Sequence, residues 1–332
     1  VAENESRFDL LVIGDAVPDV IVVGVPSELV YRQMEHLVDD AVLTVGGSAA
    51  ILACGAARLG MKVAFVGALG DDTAGHFMAG QLAQRGVDTR GLVIRREWAT
   101  GLTVNLVRAT DLDRTLLTFS GAVSELEPSM IDDELLLAAR HVHVGSFYLL
   151  PKLAPALPEL FAKAQAAGLT TSIDTQGDST RQWQGGLREA LRYTDYYFPN
   201  EDEALGAAHA SDLMSALTVL AAYGTIPVVK RGAAGAVAYT GCNIVQAPAL
   251  ALQPVDTVGA GDTFDAAFLY GRLHRFSVAK SLALATACGS LSIRARGGVE
   301  AQPTLAEALQ AAGTITPSAE ESSLADGASC IE

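Results

Sequence analysis

The sequence predicts an α/β fold: a central, mostly parallel sheet flanked by helices, with a small β-sheet lid. Two observations carry the main prediction. Apolar runs of strand length alternate with helical patterns almost from end to end, which is the signature of βαβ units. Half of the residues are hydrophobic yet only 6% are aromatic, and small aliphatic residues and glycine of this kind suit helices packed closely on a buried sheet. A chain of 332 residues is long enough for one large domain of this type.

Residues 9–14 (DLLVIG) form a continuous apolar run and read as a buried strand, followed by a second run at 20–25. Residues 48–59, rich in small side chains, read as a helix, 63–67 as a strand and 73–85 as a helix. Later strands are predicted at 141–145, 170–174, 196–198 and 227–230. Helices at 153–167, 211–223, 261–273 and 278–294 separate or follow them. Two segments, about 20–44 and 101–120, lack an intervening helix. Within the second, 103–107 and 116–119 read as a hairpin around the polar turn 110–114. These segments are expected to pair as the lid; edge strands of the main sheet are the alternative. A single domain is expected over 1–313. Beyond Gly313 the chain turns to Ser, Glu, Ala and Gly without periodicity, so 314–332 is expected to be a disordered tail.

The net charge of −15 argues against nucleic acid as the main partner, because phosphate backbones need a basic face. No apolar run reaches about 18 residues without a charge or turn signal, so no membrane span is expected. The first nine residues carry no basic segment followed by an apolar stretch, so no signal peptide is expected. The four cysteines are scattered, with no CxxC pair. They read as reduced thiols of a cytoplasmic protein. His141 and His143 would share one face of a strand, and no nearby carboxylate motif completes a metal site, so a structural role is expected.

The most informative stretch is DTVGAGDTFDAAFLY at 256–270. Gly259, Ala260 and Gly261 form a small-residue loop leading directly into a helix whose apolar residues recur at helical spacing. Such a helix start offers unpaired N–H groups and a positive dipole end to an anion. Asp262 sits in its first turn. It reads either as a simple helix cap or as a carboxylate at the lip of an anion hole, where it would accept a hydroxyl proton during phosphoryl transfer. No GxxxxGK[ST] sequence is present, which excludes a P-loop enzyme. No GxGxxG follows the first strand, which sets a dehydrogenase far behind.

DTVGAGDTF resembles the C-terminal signature of the ribokinase-like, phosphofructokinase-B-type carbohydrate kinases. A second signature of that family is matched by Gly46-Gly47-Ser48-Ala49-Ala50 running on to Gly60, in the family's order and separation. The likeness extends from about residue 9 to 303. The resemblance implies a cytoplasmic transferase that moves the γ-phosphate of ATP to a hydroxyl of a sugar or sugar derivative. It implies Asp262 as general base, with the N–H groups of Gly259, Ala260, Gly261 and Asp262 holding the transferred group. It further implies Asp19, Gly46, Gly47, Ser48 and position 51 at the sugar, with lid strands closing over it to exclude water. Asn200 and Glu203 match the ends of the family's NxxE motif and would organise Mg²⁺ through its water shell. The other reading is a helix start capped by Asn200. Lys230, Gly232 and Gly235 match its nucleotide loop, and Thr286 and Gly298 lie where the family closes around adenine. In many members a monovalent cation such as K⁺ lies beside the anion hole, and Asp256 is the matching acid. Lids of this kind often pair, so a homodimer is one expected assembly.

One departure stands out: the family usually carries an asparagine where this chain has Ile51, and isoleucine cannot hydrogen-bond a hydroxyl. Either the substrate is apolar there or another polar group compensates. A nucleoside (adenosine-type) kinase is the rival within the class. A catalytically silent sugar-binding regulator is the rival outside it.

Overall fold

The computed structural model describes residues 7–110 and 113–321. The first half of the chain runs β1 (Phe8–Ile13), β2 (Val17–Val25), β3 (Asp40–Gly46), α1 (Ser48–Arg58), β4 (Val63–Gly70), α2 (Thr73–Gln84), β5 (Asp88–Arg95), β6 (Leu102–Arg108), β7 (Arg114–Phe119), α3 (Asp133–Leu137) and β8 (Ala139–Val144). It continues with α4 (Leu157–Ala166), β9 (Thr170–Ile173), α5 (Leu187–Leu191), β10 (Tyr196–Tyr197), α6 (Glu201–Ala208), α7 (Leu213–Ala221), β11 (Ile226–Lys230), β12 (Ala236–Tyr239), β13 (Asn243–Ala247), α8 (Ala260–Leu273), α9 (Val278–Ser292), α10 (Leu305–Ala312) and β14 (Ser318–Glu321).

The main sheet has ten strands in the order β14-β13-β12-β11-β10-β9-β8-β1-β4-β5. From β5 to β11 every pairing is parallel, and the β11–β14 edge is antiparallel. Alternation along β1 explains why its run is apolar throughout. Leu10 and Val12 enter one core with α1, α8 and α9, while Leu11 and Ile13 enter the other with the helices between β7 and β11. The second sheet, β3-β2-β6-β7, is the lid. β6 and β7 are the antiparallel hairpin that the alternation predicts, and β2 pairs with β6 in parallel and with β3 antiparallel.

The C-terminal segment corrects one expectation: within 314–332, Ser318–Glu321 is a strand that pairs with β13, and 322–332 lie outside the described residues. Four backbone pairs along β13 hold this strand in place, so its lack of apolar periodicity did not mean disorder. Cys54 and Cys288 are free and buried, as expected of reduced thiols. Cys242 is disulfide-bonded, against the sequence reading, and Cys330 lies outside the described residues. His141 and His143 are buried on the face of β8 toward β9. Ser172 Oγ lies 2.7 Å from His141 Nε2 and 2.8 Å from His143 Nδ1. Burial holds both pKa values below the usual imidazole range, so the pair is a neutral structural network. Among the described residues, no single helix is long and apolar enough to cross a membrane.

Candidate active site

The strand order reverses direction at β1, whose neighbours β4 and β8 are reached in opposite senses along the chain. In open α/β sheets such a reversal opens a crevice at the C-terminal strand ends. Asp15 follows β1, Asp174 follows β9, Asn200 follows β10 and Lys230 ends β11, so the polar residues of the site gather at this edge. Helix α1 starts here too, in close approach to the end of β8. A Cβ on Gly145 would stand 2.9 Å from that of Ala49.

Asp15 organises the start of α1. Its carboxylate accepts from Ser48 N at 3.2 Å and Ala49 N at 3.0 Å, satisfying two of the donors that a helix start leaves open. Gly47 serves as N-cap with φ +84°, and a Cβ there would stand 2.8 Å from Asp15 O. Ser48 is thereby aimed across the crevice, where its hydroxyl donates to Asp262 Oδ1. Gln302 ties the two helices together, donating from Nε2 to Ile51 O at 2.9 Å and to Thr263 Oγ1 at 3.1 Å.

Gly259 is the N-cap of α8 with φ +73°, and no side chain caps this helix start. Its first-turn N–H groups therefore have no side-chain acceptor, at a helix start whose Gly259 and Asp262 line the cleft, an arrangement suited to an anion. A Cβ at Gly259 would meet Gly298 Cα at 2.6 Å and Ile51 Cγ2 at 2.9 Å, so glycine is required by both conformation and space. Asp262 is buried, and burial together with the Asp174 charge pushes its carboxyl up to about 7. The Ser48 hydroxyl and the Lys230 charge act in the opposite direction.

The lid supplies the opposite wall. Register pairs Asp19 with Thr103, Thr103 with Thr118 and Asn105 with Leu116, so alternation places Asp19, Thr103, Asn105, Arg114, Leu116 and Thr118 on one inward face. All of them line a cleft of about 160 Å³ together with Asp15, Gly47, Ser48, Ile51, Gly259 and Asp262. Burial first, then the Asp15 charge, raises Asp19 to about 7. Gly46 makes room for that side chain, since a Cβ on it would lie 2.1 Å from Asp19 Oδ1. The Asn105 carboxamide lies near enough to lower the Asp19 pKa, yet neither of its polar atoms has a partner in hydrogen-bonding geometry.

Several expected residues sit elsewhere or are otherwise engaged. Lys230 does not stand free beside the nucleotide loop. Its Nζ donates to Asp174 at 2.6 Å and Asp265 at 3.0 Å, just beneath Gly261. Burial would lower its pKa, but the two carboxylates outweigh burial and hold it protonated. Burial pushes Asp265 far up; burial also acts to raise Asp174, but the Lys230 charge together with hydrogen bonds from Asp265, Lys230 and Gln176 N outweighs it and brings the pKa down. Gly232 and Gly235 form the left-handed turn after β11, and a Cβ on Gly235 would collide with Ala247 O at 2.0 Å. The Thr286 hydroxyl donates to Leu282 O at 2.8 Å inside α9. Gly298 packs on Ile51 and Gly259 rather than opening a pocket.

Asn200 and Glu203 form a capping box. Glu203 N donates to Asn200 Oδ1, and Asn200 N donates to Glu203 Oε2, both at 2.9 Å. Glu203 is buried, and burial, then the Asp174 charge, raises it to about 7. Its Oε1 has no protein donor among the described residues. No group of three His, Cys, Asp or Glu side chains among those residues is arranged to hold a metal directly. This arrangement fits a Mg²⁺ ion held through its waters and substrate phosphates. Asp256 already has partners: Oδ1 accepts from Val258 N at 3.0 Å and Arg114 Nη1 at 3.4 Å, and Oδ2 accepts from Gly297 N at 3.0 Å.

Sequence reading missed Asp15, Asn105, Arg114, Asp174 and Asp265. Asp15 and Asp174 carried a signal, as acids directly after apolar strands of a parallel sheet. Asn105 and Arg114 carried a weaker one, polar residues alternating along the hairpin.

A 5-dehydro-2-deoxygluconokinase from Shouchella clausii is 27% identical over 321 residues, covering 92% of this chain and 95% of the relative. Adenosine kinase from Sinorhizobium meliloti superposes with a TM-score of 0.79 at 27% identity, over 92% of this chain and 99% of that one. An E. coli chain solved with ATP and Mg²⁺ superposes with a TM-score of 0.80 over 91% of this chain and 98% of that one, and at 24% identity it speaks for the fold. The model of the pfkB family carbohydrate kinases matches residues 7–305, and the chain belongs to that family.

Proposed function

We propose that residues 7–321 act as one kinase domain, in which Asp262 is the general base and the start of α8 is the anion hole. The reaction is the ATP-dependent phosphorylation of a sugar hydroxyl. The single observation that carries the assignment is the buried Asp262 carboxyl, raised to about 7, at the uncapped N-terminus of α8. A pKa near the working pH makes a carboxylate an effective base. Asp262 takes the proton of the acceptor hydroxyl as its oxygen attacks the γ-phosphorus. The bond to the β-phosphate oxygen breaks, and ADP leaves. The N–H groups of Gly261 and Asp262 receive the charge on the transferred group. Ser48 holds the base, and Asp19 accepts from acceptor hydroxyls. Lys230 sits under the loop as a fixed positive charge, whose two carboxylate partners keep it from moving toward the phosphates. Mg²⁺ would neutralise phosphate charge, with Glu203 and Asn200 holding its water shell.

The cleft volume of about 160 Å³ supports a small acceptor of sugar size. The apolar wall of Ile51, Leu116, Leu149 and Val258, together with the adenosine kinase likeness, favours a nucleoside as the second reading. A homodimer is part of the proposal, supported by the exposed apolar side chains Leu43, Leu117 and Phe119 on the lid, and sedimentation tests it. A cytoplasmic location is supported by the free thiols Cys54 and Cys288 and opposed by the bonded Cys242. The decisive assay follows ADP release from MgATP against pentoses, hexoses, sugar acids and nucleosides, with Asp262→Ala in parallel. Acceptor-dependent turnover that falls by about 10²–10⁴ in the variant is expected. Equal turnover in both proteins would remove Asp262 from the mechanism.

A further inference from the structure

We propose that the lid strands β6 and β7 select an acidic acceptor: Arg114 binds the carboxylate of a sugar acid while Asn105 hydrogen-bonds a neighbouring hydroxyl or carbonyl of the same molecule. The inference rests on the acceptor cleft assigned above and names the class of molecule that fills it.

Asn105 is 1% exposed, lines the cleft, and has no hydrogen-bond partner at either Oδ1 or Nδ2. A buried polar group left unpaired costs about 1–3 kcal/mol, so a carboxamide with both ends open is built for a partner that arrives later. One acceptor and two donors complement a hydroxyl or a carbonyl–hydroxyl pair. Across the cleft, Ile51 offers no such contact. The lid therefore presents an open carboxamide where position 51 of α1 presents an apolar side chain.

Arg114 is the one cation among the described residues that line this cleft, which also presents the carboxylates of Asp15, Asp19 and Asp262. A neutral sugar needs no guanidinium, whereas an anionic acceptor would be repelled by that acidic wall without one. Asp256 holds Arg114 by one long contact, 3.4 Å from Nη1, and is itself satisfied by two backbone N–H groups. The rest of the planar fork is left to grip a carboxylate with two parallel bonds. Asn105 is paired in register with Leu116, and Arg114 lies two residues away on the same face. The two side chains are thus diagonal neighbours, about 7–8 Å apart along the sheet, a span that one small acceptor can bridge.

Binding calorimetry separates this inference from the kinase reading, because it needs no turnover. The probes are gluconate and 2-deoxygluconate against glucose and 2-deoxyglucose, with ATP titrated separately. Wild type is expected to bind the acids at least about tenfold more tightly than the matching aldoses. Arg114→Met should abolish that preference and leave ATP affinity unchanged, and Arg114→Lys should retain part of it. Asn105→Leu should weaken acid binding about tenfold without lowering Tm, since it removes an unpaired polar group. Equal binding of acid and aldose by wild type would overturn the inference. So would an Arg114→Met variant whose defect is in ATP affinity, which would assign the guanidinium to phosphate. Acid preference without any turnover would leave this inference standing and remove the kinase reading. Turnover on neutral sugars alone would do the reverse.

Discussion

Ser48→Ala tests the link between the two signature segments. The Ser48 hydroxyl donates to Asp262 Oδ1 and is among the influences that hold the pKa of this buried carboxyl down, to about 7, against burial and the Asp174 charge. A hydrogen bond to a charged group contributes about 1.5–3 kcal/mol. Removing it should therefore raise the carboxyl by roughly one to two pH units. If Asp262 is the base proposed above, it works ionised, so kcat/KM should rise with pH through about 7 in wild type, and the ascending limb should move to about 8–9 in the variant. The backbone contacts of residue 48 to Asp15 do not involve its hydroxyl, and alanine favours the helix, so α1 keeps its place. The assay is kcat/KM for the acceptor from pH 5.5 to 10 at saturating MgATP. At the alkaline end the variant should recover most of the wild-type plateau. An unmoved limb, or equal loss at every pH, would refute the reasoning.

Three other perturbations have defined outcomes. Gly259→Ala forces a Cβ into a φ of +73° and against Gly298, so a loss of about 1–2 kcal/mol beyond any steric shift is expected. A lower Tm and a large fall in kcat check it. Asp19 is raised in the folded protein to about 7, so the stability it contributes is full below about pH 4 and is lost as pH rises through 7. The Tm of Asp19→Asn should therefore gain on wild type between pH 4.5 and 7 and level off above; a constant difference would contradict this. Exchanging K⁺ for tetramethylammonium should change turnover by less than about twofold, because the Arg114 guanidinium already faces Asp256. A loss of tenfold or more would put a monovalent cation at Asp256.

The sequence by itself determined the fold class, because a parallel sheet buried on both faces leaves continuous apolar runs such as β1 and β4 that periodicity can read. It also picked out the start of α8 as the segment that meets the cleft. Glycines before a helix with an aspartate in its first turn are local features, and Gly259 and Asp262 meet at the cleft as that local chemistry implies. The strands β5, β12, β13 and β14 escaped it, since strands of four to eight residues at or near the sheet edges carry little period, and so did α10, a helix of only eight residues.

Tertiary structure alone decided which side chains face one another. Ser48 and Asp262 are 214 residues apart, and only the packing of α1 against α8 joins them. In sequence Lys230 only matches the family's nucleotide loop. It becomes the shared partner of Asp174 and Asp265 because β9, β11 and α8 converge on it. The inward row of Asn105 and Arg114 depends on the register of β2, β6 and β7, and a slip of one residue would turn it to the outside of the lid. Local residue chemistry is written in neighbouring positions along the chain, whereas burial, charge pairing and the pKa values they set arise from contacts between segments far apart in it.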